Sequence, residues 1–140
     1  QAVVSAPVKA HSTQPLKGIK VLCIDNEESI LTGMQSLLSR WGCDVRTALN
    51  TSACETVLET ENFVPQIVLI DYHLDHGQTG INVMRWLRKT LKNPQLPGII
   101  ISADARPELP VQAHNEQLGF LTKPVKPAAL RALMNKYCES

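Results

Sequence analysis

Four short stretches of nearly unbroken apolar residues, most of them running straight into a polar or charged one, constrain this chain most. They are Ile19-Lys20-Val21-Leu22-Cys23-Ile24, Ile67-Val68-Leu69-Ile70, Gly98-Ile99-Ile100-Ile101 and Gly119-Phe120-Leu121. Continuous apolarity in short, β-branched-rich runs is the pattern of strands covered on both faces, as in a parallel sheet. A fifth run, Asp44 to Ala48, alternates and suits a less covered position. Between the runs the apolar period becomes helical. Ile30, Leu31, Met34, Leu37, Leu38 and Trp41 mark one face, closed by Gly42, and Ala53, Val57 and Leu58 mark a shorter one. Ile81, Met84, Leu87 and Leu91 give a third helix that stops before Pro94; Ala129, Leu130, Leu133, Met134 and Tyr137 give a last one, opened by Pro127. Arg106 to Gln117, with Pro107 and Pro110, predicts a thin-faced helix between these two. The order is β-α five times over, which predicts one doubly wound α/β domain with right-handed crossovers. Trp86 falls off the apolar face of its helix and is expected to be exposed, while Cys54 and Cys138 are expected to be packing residues.

At 140 residues, 44% of them hydrophobic, the chain can bury a core without disulfides or structural metal. The net charge of +1 is unevenly placed. The first twenty residues hold Lys9, Lys17 and Lys20 and no acid, which leaves 11 basic against 13 acidic residues in the remainder, a poor match for nucleic acid. Four cysteines lie far apart without a C-x-x-C pair and read as reduced thiols of a cytoplasmic protein. No apolar run approaches the length of a membrane span, and QAVVSAPVKAHSTQP lacks the charged start and long apolar middle of a signal peptide. With no Met at position 1 and an opening rich in Ala, Pro, Ser and Thr, residues 1–17 are expected to be a flexible linker within a longer protein, and 18–140 the folded domain.

In doubly wound sheets the chemistry gathers beyond the carboxyl ends of the strands. Here those ends run into Asp25-Asn26-Glu27-Glu28, Asp71, Ser102 and Thr122-Lys123-Pro124. Each has an ordinary role open to it. Asp25 or Asn26 can cap a helix, Asp71 can form a turn, Ser102 can cap the thin helix, and Lys123 can be a solvated amine. Together they ask for more. Carboxylates on neighbouring strand ends repel and call for a cation, and a hydroxyl and an ammonium beside them gain a task if a phosphoryl group is added. In that arrangement Asp25, Asn26, Asp71 and the backbone carbonyl of His73 hold Mg²⁺, and Asp71 is the nucleophile that forms an acyl phosphate. Lys123 neutralises the transferring oxygens, and Ser102, with a backbone amide near Ala103, hydrogen-bonds the phosphoryl group once it has arrived.

The segments CIDNEESI, VLIDYHLDHGQTG, IIISAD and FLTKPVKP, spread in that order between about Ile19 and Tyr137, resemble the four signatures of two-component response-regulator receiver domains. The resemblance implies a flavodoxin-like (βα)5 fold and phosphorylation of Asp71 by a histidine kinase domain or histidine phosphotransfer protein. It implies no enzymatic activity beyond self-catalysed phosphoryl transfer and autodephosphorylation. Ser102 and Phe120 occupy the switch hydroxyl and switch aromatic positions, and the face made by the fourth helix, fifth strand and fifth helix is expected to repack and to offer a homodimer surface. A cis Lys123–Pro124 bond is also implied. The loop DYHLDHGQTG, in place of the commoner D-x-x-x-P-x-x-x-G form, is most similar to receivers at the C-terminus of hybrid sensor histidine kinases.

Three departures from the family pattern carry expectations. Asn26 stands in place of a second acid and is expected to weaken metal binding and to bias the domain mildly toward its active-like state. Asp75 replaces a proline, so the loop is expected to take another path. His73 and His76 are expected to be surface-loop residues, His73 near the route of water to the acyl phosphate. Other functions remain open at this point. A hydrolase of the haloacid dehalogenase type needs a second acid where this chain has His73, a flavin binder needs a different loop from DNEES, and a pseudo-receiver that is not phosphorylated is kept open by Asn26.

Overall fold

The computed structural model describes residues 16–138, along which strands and helices alternate: β1 (Lys20–Ile24), α1 (Glu28–Arg40), β2 (Asp44–Ala48), α2 (Thr51–Thr60) and β3 (Ile67–Asp71), then α3 (Gly80–Thr90), β4 (Gly98–Ser102), α4 (Glu108–Asn115), β5 (Gly119–Thr122) and α5 (Pro127–Cys138). The five strands are parallel, in the order β2-β1-β3-β4-β5. This is the doubly wound α/β sheet that the apolar runs predict, in the flavodoxin-like (βα)5 form that the resemblance implies.

Successive strand residues point to opposite faces of a sheet, so an unbroken apolar run feeds two cores at once. Leu22, Ile24, Val68, Ile70 and Ile100 pack with Cys54, Val57, Met84, Leu87 and Leu109 from α2, α3 and α4. Val21, Cys23, Ile67, Leu69, Ile99 and Ile101 pack with Leu31, Met34 and Leu38 of α1 and with Leu130 and Met134 of α5. Each such side chain contributes roughly 1.5–3 kcal/mol when fully buried. All of β3 and β4 is buried, which fixes their carboxyl ends. The run Gly119-Phe120-Leu121 reads as a strand covered on both faces, yet β5 is an edge strand with one neighbour, and Phe120 and Leu121 are only half-buried.

The domain begins earlier than expected. Leu16, which the sequence places in the linker, is buried (1% exposed), and its carbonyl accepts hydrogen bonds from Ile19 N and Cys43 Sγ. Residues 1–15 of the expected linker lie outside the described residues. Gly42 closes α1 with φ +86°, a backbone conformation that suits glycine. At the other end of α1, Glu27 takes the capping position without a side-chain hydrogen bond, so neither Asp25 nor Asn26 caps the helix. Trp86 is half-buried rather than exposed, because the buried face of α3 also includes Val83 and Trp86 packs beside it toward α2. Helix α4 is shorter than its sequence run and accommodates Pro110 in its first turn, where backbone amides lack helical partners anyway. The far end of α4 is held from α3: Arg88 donates to the carbonyls of Glu116 (2.7 Å) and Gln117 (3.2 Å). The four cysteines are free, and burial pushes the Cys54 thiol up to about 12, making it inert packing. Among the described residues no helix is long and apolar enough to cross a membrane.

Candidate functional site

Strand register brings the polar strand ends to one edge of the sheet. Ile24 lies opposite Ile70, so Asp25 and Asp71 follow side by side; Asp71 lies opposite Ile101, and Ser102 opposite Thr122. Asp25 and Lys123 sit one step beyond their strands but are still fixed by the ladder, Asp25 N donating to Ala48 O and Lys123 N to Ser102 O. The Lys123–Pro124 bond is cis.

The Asp25, Asp71 and Lys123 side chains meet at this edge. Lys123 Nζ donates to Asp25 Oδ2 (3.0 Å) and lies 3.4 Å from Asp71 Oδ1 and 4.0 Å from Glu27 Oε1. Asp25 and Asp71 are only 4% and 7% exposed. Asp25 spends its second oxygen on the Glu27 amide (2.9 Å), which steers the chain out of β1 into α1. Burial, reinforced by the neighbouring Asp25 charge, raises the Asp71 carboxyl above its ordinary range, although Lys123 pulls the other way. Burial alone lowers the Lys123 ammonium, but its hydrogen bond to Asp25 and the charge of Asp71 outweigh this and raise it. One ammonium therefore faces two buried carboxylates. The site has negative charge to spare.

The loop from β3 to α3 is closed by an antiparallel bridge between His73 and Thr79, with Gly80 N donating to Tyr72 O and Leu74 N to Gln78 O. Those two bonds flank the His73–Thr79 pair, so the carbonyl of His73 faces away from Thr79. Asp75 opens a tight turn through His76 (φ 61°) and Gly77 (φ 73°), and its Oδ1 accepts from Asn26 Nδ2 (3.1 Å). With its nitrogen given to Asp75, the exposed Asn26 amide has its oxygen left for a cation. A Cβ at Gly80 would stand 2.5 Å from the carbonyl oxygen of Asp71, so only glycine lets α3 begin there. Thr79 caps the same helix, accepting from Asn82 N.

Two buried carboxylates, an amide oxygen and an outward backbone carbonyl are the oxygen donors that a hard divalent cation takes. Among the described residues no three His, Cys, Asp or Glu side chains group as a metal cluster, so such a cation needs Asn26 and the backbone to complete its shell.

Ser102 is fully buried and does not cap α4; its Oγ accepts from Asp104 N (3.0 Å). Asp104, which the sequence does not single out, is held by Arg106 (Nη2, 2.8 Å) and by His73 Nε2 (2.9 Å). Hydrogen bonds from Arg106, then His73, keep its carboxyl well below the usual range. Its sequence signal is weak, because the partner loop is 31 residues away. Phe120, on β5, is half-buried against the core under α2–α4. Beside Lys123, a largely apolar groove of 560 Å³ runs between α1 and the segment after β5, with Ile30, Met34, Leu37, Pro124 and Val125 in its walls.

The sequence model of the response regulator receiver domain matches residues 21–135. The chain belongs to that family. This receiver domain is 28% identical over 126 residues to an uncharacterized 14.6 kDa protein of Leptolyngbya boryana, covering 89% of this chain and 94% of that protein. It is 33% identical over 116 residues to the alkaline phosphatase synthesis transcriptional regulatory protein PhoP of Bacillus subtilis, covering 81% of this chain but 45% of PhoP. In fold it is similar to a response regulator receiver domain protein from Clostridium thermocellum, with a TM-score of 0.75 at 24% identity over 86% of this chain and 94% of that one. The receiver is thus a signalling domain of two-component systems.

Proposed function

We propose that this receiver accepts a phosphoryl group onto Asp71 from the phosphohistidine of a histidine kinase or histidine phosphotransfer protein. The observation that carries the reading is the Lys123 ammonium, shared at 3.0 and 3.4 Å between Asp25 and Asp71. In the transfer the P–N bond to the donor imidazole breaks, its electron pair staying on nitrogen, and a P–O bond forms to a carboxylate oxygen of Asp71. Being buried, that carboxylate has little water to shed. Lys123 stays charged and stands where negative charge builds on the transferring oxygens. Asp25, Asn26, Asp71 and the backbone carbonyl of His73 would hold Mg²⁺, which when bound supplies further positive charge to those oxygens.

Once the acyl phosphate has formed, the Ser102 hydroxyl leaves the Asp104 amide and donates to a phosphoryl oxygen, and the backbone amide near Ala103 does the same. Phe120 then turns inward and the α4-β5-α5 face repacks. The apolar groove beside Lys123 suits a helical donor that brings its histidine to the site from α1. The form of the loop DYHLDHGQTG supports an origin in a hybrid sensor histidine kinase, with the domain on the cytoplasmic side. The test is intact mass after acetyl phosphate and Mg²⁺: wild type should gain one phosphoryl group and Asp71→Asn none. A wild type that neither gains mass nor binds beryllofluoride would be the pseudo-receiver that Asn26 allows.

A further inference from the structure

Resting on that reading, we infer that His73 and Asp104 are positioning residues: their contact clamps the loop after β4 and keeps the Ser102 hydroxyl engaged by the Asp104 amide, which sets the cost of switching. The two residues sit at matching places, His73 two positions beyond Asp71 and Asp104 two beyond Ser102, so the 2.9 Å bond between them ties the loop after β3 to the loop after β4. Each end is anchored. The His73 ring stands edge-on to the Tyr72 ring (4.7 Å between centroids), and Tyr72 OH donates to Gln112 of α4 (3.2 Å). Asp104 is also gripped by Arg106, whose backbone amide donates to Oδ1 (3.1 Å) and whose Nε donates to Oδ2, the oxygen that His73 contacts (2.9 Å). While Asp104 is held by His73 and Arg106, its amide stays on the Ser102 hydroxyl, and freeing that amide loosens the hydroxyl for its turn to the phosphoryl group. A contact made only in the resting arrangement lowers the population of the competent one, and hence the apparent affinity for anything that needs it. For an exposed pair the factor is about two- to fivefold.

The experiment uses His73→Ala, with His73→Gln as the conservative variant because its amide nitrogen can still donate to Asp104. In the metal-free protein, hydrogen exchange at the Asp104 amide should quicken about two- to fivefold in His73→Ala and return toward wild type in His73→Gln. In the presence of Mg²⁺, beryllofluoride should bind His73→Ala more tightly by a similar factor, and His73→Ala should add nothing in an Asp104→Ala background. Unchanged amide exchange, weaker beryllofluoride binding, or a full effect of His73→Ala without Asp104 would each overturn the clamp while wild-type binding upholds the phosphoacceptor reading. A wild type that binds no beryllofluoride overturns that reading, and the switching role falls with it.

Discussion

Asp71 and Asp104 share one rim of the sheet, yet their surroundings treat them in opposite ways. Asp71 is buried beside a second carboxylate and must divide one ammonium with it, so its carboxyl is raised; Asp104 is at the surface, bonded by Arg106 and His73, and its carboxyl is lowered. The charge on Asp104 is already matched by its neighbours. The charge on Asp71 is not, and an unmatched buried carboxylate is a place for a cation and an electrophile. Acidity on a rim is therefore no mark of function by itself; what separates the two residues is the balance of partners around each.

The strongest way to break the contrast is to exchange Asp71 for Asn, which should abolish phosphorylation altogether by intact mass, whereas Asp104→Asn should leave it measurable. Next in size, Lys123→Met removes the cation nearest the buried pair and should destabilise the metal-free protein by roughly 3 kcal/mol in urea denaturation, since a buried charge is left uncompensated. Mg²⁺ should restore part of that loss.

A smaller effect sharpens the contrast through its sign. Because the folded state raises the Asp71 carboxyl, ionising it costs stability, and the cost sets in as pH rises through and above the ordinary carboxylate range. Asp71→Asn should thus raise the metal-free Tm by about 2–4 °C near pH 7 and by nothing near pH 3. Asp104 behaves inversely. Its lowered carboxyl contributes stability above the ordinary range that is lost as pH falls, so Asp104→Asn should lower Tm slightly at neutral pH, the difference vanishing in acid. Equal signs for the two variants in thermal melts would break the comparison.

The residues legible in the sequence were those whose position follows from strand topology. Asp25, Asp71, Ser102 and Lys123 each end or follow an apolar run, and parallel register then leaves them one place to go. Less legible was everything that loops decide. The bonds from His73 to Asp104 and from Asn26 to Asp75 join segments 31 and 49 residues apart, and no periodicity encodes them. The capping role open to Asp25 is not taken up, because the Lys123 ammonium and the Glu27 amide occupy its carboxylate. Trp86 is more covered than its helical position predicts, because a helical face counted from its strongest residues is narrower than the one a neighbouring helix covers.

The glycine that opens α3 fits against the Asp71 carbonyl with no clearance for a methyl group. The peptide of Asp71 is thus the floor on which a helix stands, with no room left above it. Motion that begins at Asp71 must travel outward through its side chain and the flanking loops, because beneath it the backbone is pinned.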